Sequence, residues 1–139
     1  MAAGVHMGDA LARTIEVDLA RTISFLGDDA RVYATPAIVS DVEYLCRDII
    51  LKSCAPGEDS VGAEVNIEHL ASALLGYPVE IEAAVSGVDR RAVTFSFTVR
   101  DPLAVIARGS HRRFVLGVED LRRRIERKRG DLQAGAARQ

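Results

Sequence analysis

Thr35-Pro36-Ala37-Ile38-Val39-Ser40-Asp41-Val42-Glu43-Tyr44-Leu45-Cys46-Arg47-Asp48-Ile49-Ile50-Leu51-Lys52-Ser53 is the stretch whose reading decides the fold. Ile38, Val39, Val42, Leu45, Cys46, Ile49 and Ile50 recur at spacings of three and four, the signature of a helix with a wide apolar stripe. Thr35 reads as its N-cap, and Pro36 takes the first helical position, where a missing N–H costs nothing. Pro56-Gly57 ends the element. Ala37, Asp41, Tyr44, Asp48 and Lys52 fall on the other side. A helix this apolar must be covered by a second element.

The flanks supply that cover. Before the helix, Ile15, Val17 and Leu19 recur among polar residues from Thr14 to Phe25, which predicts a first strand, and Gly27-Asp28-Asp29 reads as a turn. After it, Ser60–Leu70 alternates, with Val61, Ala63, Val65 and Ile67 on one face and Glu64, Asn66 and Glu68 on the other. Further alternating runs follow: Val79–Val85 after Gly76-Tyr77-Pro78, Val93–Val99 after a turn at Gly87–Arg90, and Ala104–Leu116 after Asp101-Pro102. Val118–Arg129 reads as a strongly basic helix. The order is one strand, one long helix, then a meander of strands. A ferredoxin-like sandwich needs a second helix between strands, and none precedes Val118. A curved antiparallel sheet wrapped around one central helix, an α+β hotdog arrangement, is therefore the expected fold.

The bulk numbers exclude more than they identify. A chain of 139 residues suffices for one domain and one core. With 48% hydrophobic and 27% charged residues it reads as a soluble globular protein. A net charge of -2, no Trp and few aromatics argue against nucleic acid as a partner. Cys46 and Cys54 fit neither a disulfide framework nor a zinc motif, and no metal is expected. No signal-like start and no bilayer-length apolar run are seen, so the expected address is the cytoplasm, without membrane attachment. Residues 1–12 are expected to be loose.

Two polar residues stand in apolar company. Glu43 lies on or beside the helical stripe, with Val39 four before it and Cys46 three after. An unpaired carboxylate there would cost several kcal/mol, so it is paired, protonated or lining a cavity, or else reaches solvent from the edge of the stripe. His69 continues the apolar face of its strand, two residues after Ile67. It reads either as a strand-end histidine with one hydrogen bond or as a general acid–base group. Thr35 is explained by capping alone. It also stands where a helix N-terminus favours developing negative charge.

Four segments together resemble the fluoroacetyl-CoA thioesterase-like branch of hotdog proteins. They are Ala34-Thr35-Pro36-Ala37-Ile38-Val39-Ser40-Asp41-Val42-Glu43, Pro56-Gly57-Glu58-Asp59-Ser60-Val61-Gly62, Val65-Asn66-Ile67-Glu68-His69-Leu70-Ala71 and Gly109-Ser110-His111-Arg112-Arg113-Phe114-Val115. The likeness spans roughly residues 14–129 and implies a hotdog thioesterase domain over 13–130, with a flexible tail at 131–139. It implies Thr35, Glu43 and His69 as the catalytic set, with Gly62 and Arg113 contacting substrate; His111 receives no role. It further implies an acyl-CoA thioesterase acting on a small or medium acyl group, needing no cofactor beyond the coenzyme A of its substrate. A homodimer is expected, because a sheet with an open edge is a liability and hotdog domains pair at such edges. In this chain the stretch after His69, Ala71-Ser72-Ala73-Leu74-Leu75-Gly76, departs from the family's threonine-proline pattern. Only Tyr33 and Phe25 are available as aromatic lid residues, so fluoroacetyl specificity is not implied. The rival reading is a non-catalytic hotdog module that binds an acyl-CoA. A hydratase is disfavoured, because no histidine lies between His6 and His69.

Overall fold

A computed structural model describes residues 4–137. The expected helix is α1, Thr35–Leu51, followed by a meander of β2 (Glu58–His69), β3 (Pro78–Asp89), β4 (Ala92–Arg100) and β5 (Val105–Gly117). With β1 (Ala10–Glu16) these strands form one sheet of order β1-β3-β4-β5-β2, antiparallel at every junction. The helix α2, Val118–Ala137, leaves the end of β5.

The alternation expected of β3 and β4 holds: Val79, Ile81, Ala83 and Val85 on β3, and Val93, Phe95, Phe97 and Val99 on β4, are buried. Six of the seven stripe residues, Ile38, Val42, Leu45, Cys46, Ile49 and Ile50, meet them from α1 in one core. Val39 stays half-buried beside Glu43. This helix–sheet contact is the hydrophobic core of the fold, each Å² of apolar surface it removes from water contributing about 25 cal/mol.

Four expectations need correction. The first strand is Ala10–Glu16 rather than Thr14–Phe25. Leu11 and Ile15 alternate inward against the core, whereas Asp18 accepts from the Arg21 N–H and turns the chain into a short 3₁₀ turn, Leu19–Arg21. Residues 4–12 are correspondingly not loose: Val5 is buried and the Gly8 N–H donates to the Val85 carbonyl. The described part of the expected flexible tail, 131–137, is helical, since nothing in Val118–Ala137 stops the helix despite Gly130 and Gly135.

The fourth correction bears on the site. β2 does not keep one apolar face, because a bulge between Gly62 and Glu64 shifts its register against β5. Ser60 and Gly62 share the inner face with their partners Val115 and Arg113; beyond the bulge Val65, Ile67 and His69 do so, opposite His111, Gly109 and Ala107. Val61 is thereby turned outward, opposite the exposed Phe114. β2 also ends the sheet, with its second edge unpaired among the described residues. Its apolar side chains Val61 and Val65 remain exposed.

Candidate active site

Thr35 is not the N-cap. That position falls to Ala34, whose extended φ of -76° and ψ of 140° precede the helix, with Pro36 inside the first turn. The Thr35 hydroxyl is therefore released from capping. It instead lies 2.8 Å from Nδ1 of His69, the last residue of β2. With the hydroxyl donating, Nδ1 acts as acceptor, which is the arrangement of a nucleophile beside its base.

Backbone bonds clamp the two chain segments that carry this pair. Leu70 and Ala71 both donate to the Ile106 carbonyl, at 2.7 and 3.2 Å, directly after His69. The Tyr33 N–H donates to the Ala73 carbonyl at 2.9 Å, and Val32 bridges Leu74, so the loop after His69 is tied to the segment before Thr35. Below them Asp41 on α1 accepts from Arg21 at 2.8 and 3.0 Å and from the buried Tyr33 hydroxyl. Burial and the Asp41 carboxylate push the Tyr33 phenol far above its usual range, and the same carboxylate raises Arg21, so both keep their protons.

Glu43 belongs to a second group, two helical turns on. Its side chain is 43% exposed and Oε2 stands 3.6 Å from Nη1 of Arg113, which is 5% exposed. Arg113 is buried on β5. Its Nε donates to Ser60 Oγ at 2.8 Å, Nη2 to the Ser60 carbonyl at 2.9 Å, and Nη1 reaches Nε2 of His111 at 3.1 Å. Gly62 faces the same carboxylate, and a Cβ there would meet Glu43 Oε2 at 3.2 Å. Glu43 and Arg113 line an open cleft of about 370 Å³ with Pro36, Val39, Ser40, Tyr44 and Arg47.

The five residues singled out in the sequence thus form two clusters, Thr35 with His69 and Glu43 with Gly62 and Arg113. Eight helical residues separate Thr35 from Glu43, about 12 Å along the axis. His69 bonds Thr35, at the start of that span. Sequence reasoning missed Ser60 and passed over His111. The inward alternation of Ala107, Gly109, His111 and Arg113 on β5 was the available signal for His111, while the bulge that turns Ser60 inward left no mark in the pattern. Cys46 is no alternative nucleophile, since burial pushes its thiol up to about 12. Among the described residues, no cluster of three His, Cys, Asp or Glu side chains could hold a metal.

An antiparallel sheet curled round one helix is the hotdog arrangement, and a hydroxyl–imidazole pair at the helix N-terminus is chemically suited to attack on a thioester. The profile of the fluoroacetyl-CoA-specific thioesterase family matches residues 17–119, and the chain belongs to that family. The fluoroacetyl-CoA thioesterase of Streptantibioticus cattleyicolor is 24% identical over 132 residues, covering 90% of this chain and 95% of that protein. A solved fluoroacetyl-CoA thioesterase structure superimposes with a TM-score of 0.81 at 23% identity, over 90% of this chain and 98% of that one. A thioesterase superfamily member from Thermus thermophilus gives a TM-score of 0.85 at 26% identity, over 93% and 96% of the two chains.

Proposed function

We propose that this protein hydrolyses the thioester of a small or medium acyl-CoA to the free acid and coenzyme A, with Thr35, His69 and Glu43 as its catalytic groups. The observation that carries this reading is the 2.8 Å contact between the Thr35 hydroxyl, free of capping, and His69 Nδ1. The imidazole removes a proton from the hydroxyl or from a water in its place, and the nucleophile adds to the acyl carbon. The oxyanion that forms is stabilised by N–H groups at the start of α1. Breaking the C–S bond releases the coenzyme A thiolate, which takes up the proton held by His69. If Thr35 carries the acyl group, a water activated by the same imidazole completes hydrolysis. Glu43 orients or assists the attacking water. Gly62 lets the Glu43 carboxylate approach the β2 backbone where substrate is contacted, and Arg113 serves the substrate through the Glu43 side of the cleft.

Two clusters in one chain become one site in a homodimer. The open β2 edge carries exposed Val61 and Val65, and joining two such edges antiparallel buries them. The join reverses the order of inner-face residues in the second strand, so the His69 end of one β2 lies toward the Gly62 end of the other. The partner's Glu43 is thereby carried toward Thr35 and His69. We place the activity in the cytoplasm, where the free thiols of Cys46 and Cys54 stay reduced.

The test is release of free coenzyme A from a panel of short, branched and aromatic acyl-CoAs. The native chain should turn over at least one of them, and Glu43→Ala and His69→Ala should each abolish that turnover. A folded dimer with no turnover on any thioester would sink the hydrolase and leave a module that binds acyl-CoA.

A further inference from the structure

His111 has no part in the hydrolysis described above, yet it is 2% exposed and both ring nitrogens are engaged. Nδ1 lies 2.8 Å from the Glu64 carbonyl and Nε2 lies 3.1 Å from Nη1 of Arg113. A guanidinium only donates, so Nε2 accepts, and the ring hydrogen must sit on Nδ1 and point at Glu64. One neutral tautomer satisfies both contacts. The protonated ring would turn an N–H against Arg113. Burial agrees, holding the imidazole below its ordinary pKa.

The two contacts have different consequences. The Nδ1–H bond holds Glu64 at the β2 bulge, whose register shift turns Val65, Ile67 and His69 inward. The Nε2 bond holds Arg113, whose same Nη1 faces Glu43 at 3.6 Å. With Ser60 fixing Nε and Nη2, every nitrogen of the guanidinium has a partner, and its plane has one orientation. Glu43, by contrast, is half exposed and has no hydrogen bond of its own among the described residues, so Arg113 is the group that can restrain its carboxylate.

We infer that His111 is a positioning residue for the hydrolysis: through Nε2 it orients the Arg113 guanidinium, and through that guanidinium it holds the Glu43 carboxylate beside Gly62. The inference rests on the reading of Glu43 as a catalytic group. Arg113 then acts on the carboxylate as much as on the substrate.

Three variants separate the two contacts. His111→Gln places an amide oxygen near Nε2 and keeps the acceptor for Arg113 while losing the donor to Glu64. His111→Asn places an amide N–H near Nδ1 and keeps the bulge bond while losing Arg113. His111→Leu loses both. Steady-state hydrolysis of the acyl-CoA turned over fastest in the panel should show His111→Gln within about three-fold of native kcat. His111→Asn and His111→Leu should fall on the order of ten-fold in kcat with KM little changed, the expected size for one hydrogen bond to a charged group. Side-chain nitrogen NMR gives a reading independent of turnover. Separate Arg113 Nη resonances, the mark of a guanidinium that does not rotate, should persist in native protein and His111→Gln and merge in His111→Asn. Native kcat in His111→Asn, or separate Nη resonances there, overturns the inference, as does a His111→Gln protein as slow as His111→Leu. Full activity in Glu43→Ala would instead overturn the assignment of Glu43 and leave the NMR result to decide for His111.

Discussion

Replacing Gly62 by alanine should damage catalysis while leaving stability almost untouched. The new Cβ would stand 3.2 Å from Glu43 Oε2 and 3.3 Å from His111 Cε1, a few tenths of an ångström inside ordinary contact. His111 cannot yield, being buried and bonded at both nitrogens. Glu43 can, because its side chain is 43% exposed and free to rotate into the cleft. The strain is therefore relieved by moving the carboxylate away from Gly62 and Arg113. Overpacking costs about 1–3 kcal/mol where nothing can move and less here. The alanine also removes about 0.4–1 kcal/mol of unfolded-chain entropy, so the net change should lie within about 1 kcal/mol. If a misplacement of about 1 Å costs roughly 10²-fold, a shift of several tenths should lower kcat/KM on the order of ten-fold. Coenzyme A release and thermal unfolding, measured on one preparation, read the two effects. Gly109→Ala is the contrasting case, since its Cβ would lie 1.8 Å from the Asn66 carbonyl oxygen and 3.0 Å from Phe97 Cζ, with no side chain able to relieve the first. That variant should lose several kcal/mol or fail to fold. Unchanged kcat/KM in Gly62→Ala, or a loss that appears only with a large drop in Tm, would refute the reasoning.

A composite site predicts complementation: Thr35→Ala and Glu43→Ala proteins, each inactive alone, should regain activity when unfolded together and refolded. The mixed dimer keeps one site with both groups intact, approaching a quarter of native activity for random pairing of equal halves; no recovery, with mixed dimers shown by native mass spectrometry, would mean that each chain holds its own complete site. Asp41→Ala should lower stability by about 1–3 kcal/mol, because it leaves the buried Tyr33 hydroxyl without its acceptor and Arg21 with Asp18 alone, and a Tm equal to native would refute that. Below pH 6.5 His111 should cost the fold stability. Its pKa is depressed in the native state, so there the unfolded chain binds the proton more readily, and unfolding free energy falls with pH by at most about 1.4 kcal/mol per unit. Denaturant titrations between pH 7 and 5 should show a shallower decline for His111→Gln, above the range where Glu58 and Asp59, both held low by arginines, lose theirs.

The helix and its apolar stripe were legible because the core needs period-3.6 burial on α1 and period-2 burial on β3 and β4, and Ile38 to Ile50, Val79 to Val85 and Val93 to Val99 carry those periods. β1 was misplaced because Val17 is buried after the strand has ended, which extended the apparent alternation into a 3₁₀ turn. Thr35 was marked by the family resemblance, not by its local pattern. A threonine before proline fits a cap, yet Ala34 takes the cap and the hydroxyl serves His69. The identities of Glu43 and His69 came from polar residues in apolar rows, but their placement did not. His69 faces inward only because the Gly62/Glu64 bulge reverses the phase set by Val61. A bulge is decided by pairing with β5, through contacts such as His111 to Glu64, and leaves no period of its own to read.

The two clusters also differ in how firmly they are held, and the difference bears on mechanism. Backbone bonds to Ile106 and Ala73 and the Asp41 network brace the segments bearing Thr35 and His69, so the hydroxyl–imidazole distance is determined by main chain on both sides. Glu43 is set by one guanidinium 3.6 Å away, on the open side of a cleft. Proton transfer between two fixed groups demands the first kind of support, since hydrogen-bond reach is lost within a few tenths of an ångström. A carboxylate that orients a water against a substrate, the role proposed for Glu43, is served by the second. Changes around Arg113 should therefore appear mainly in kcat, by misdirecting a mobile acid, whereas changes at Ala73 or Ile106 should unsettle the folded chain before they reach the chemistry.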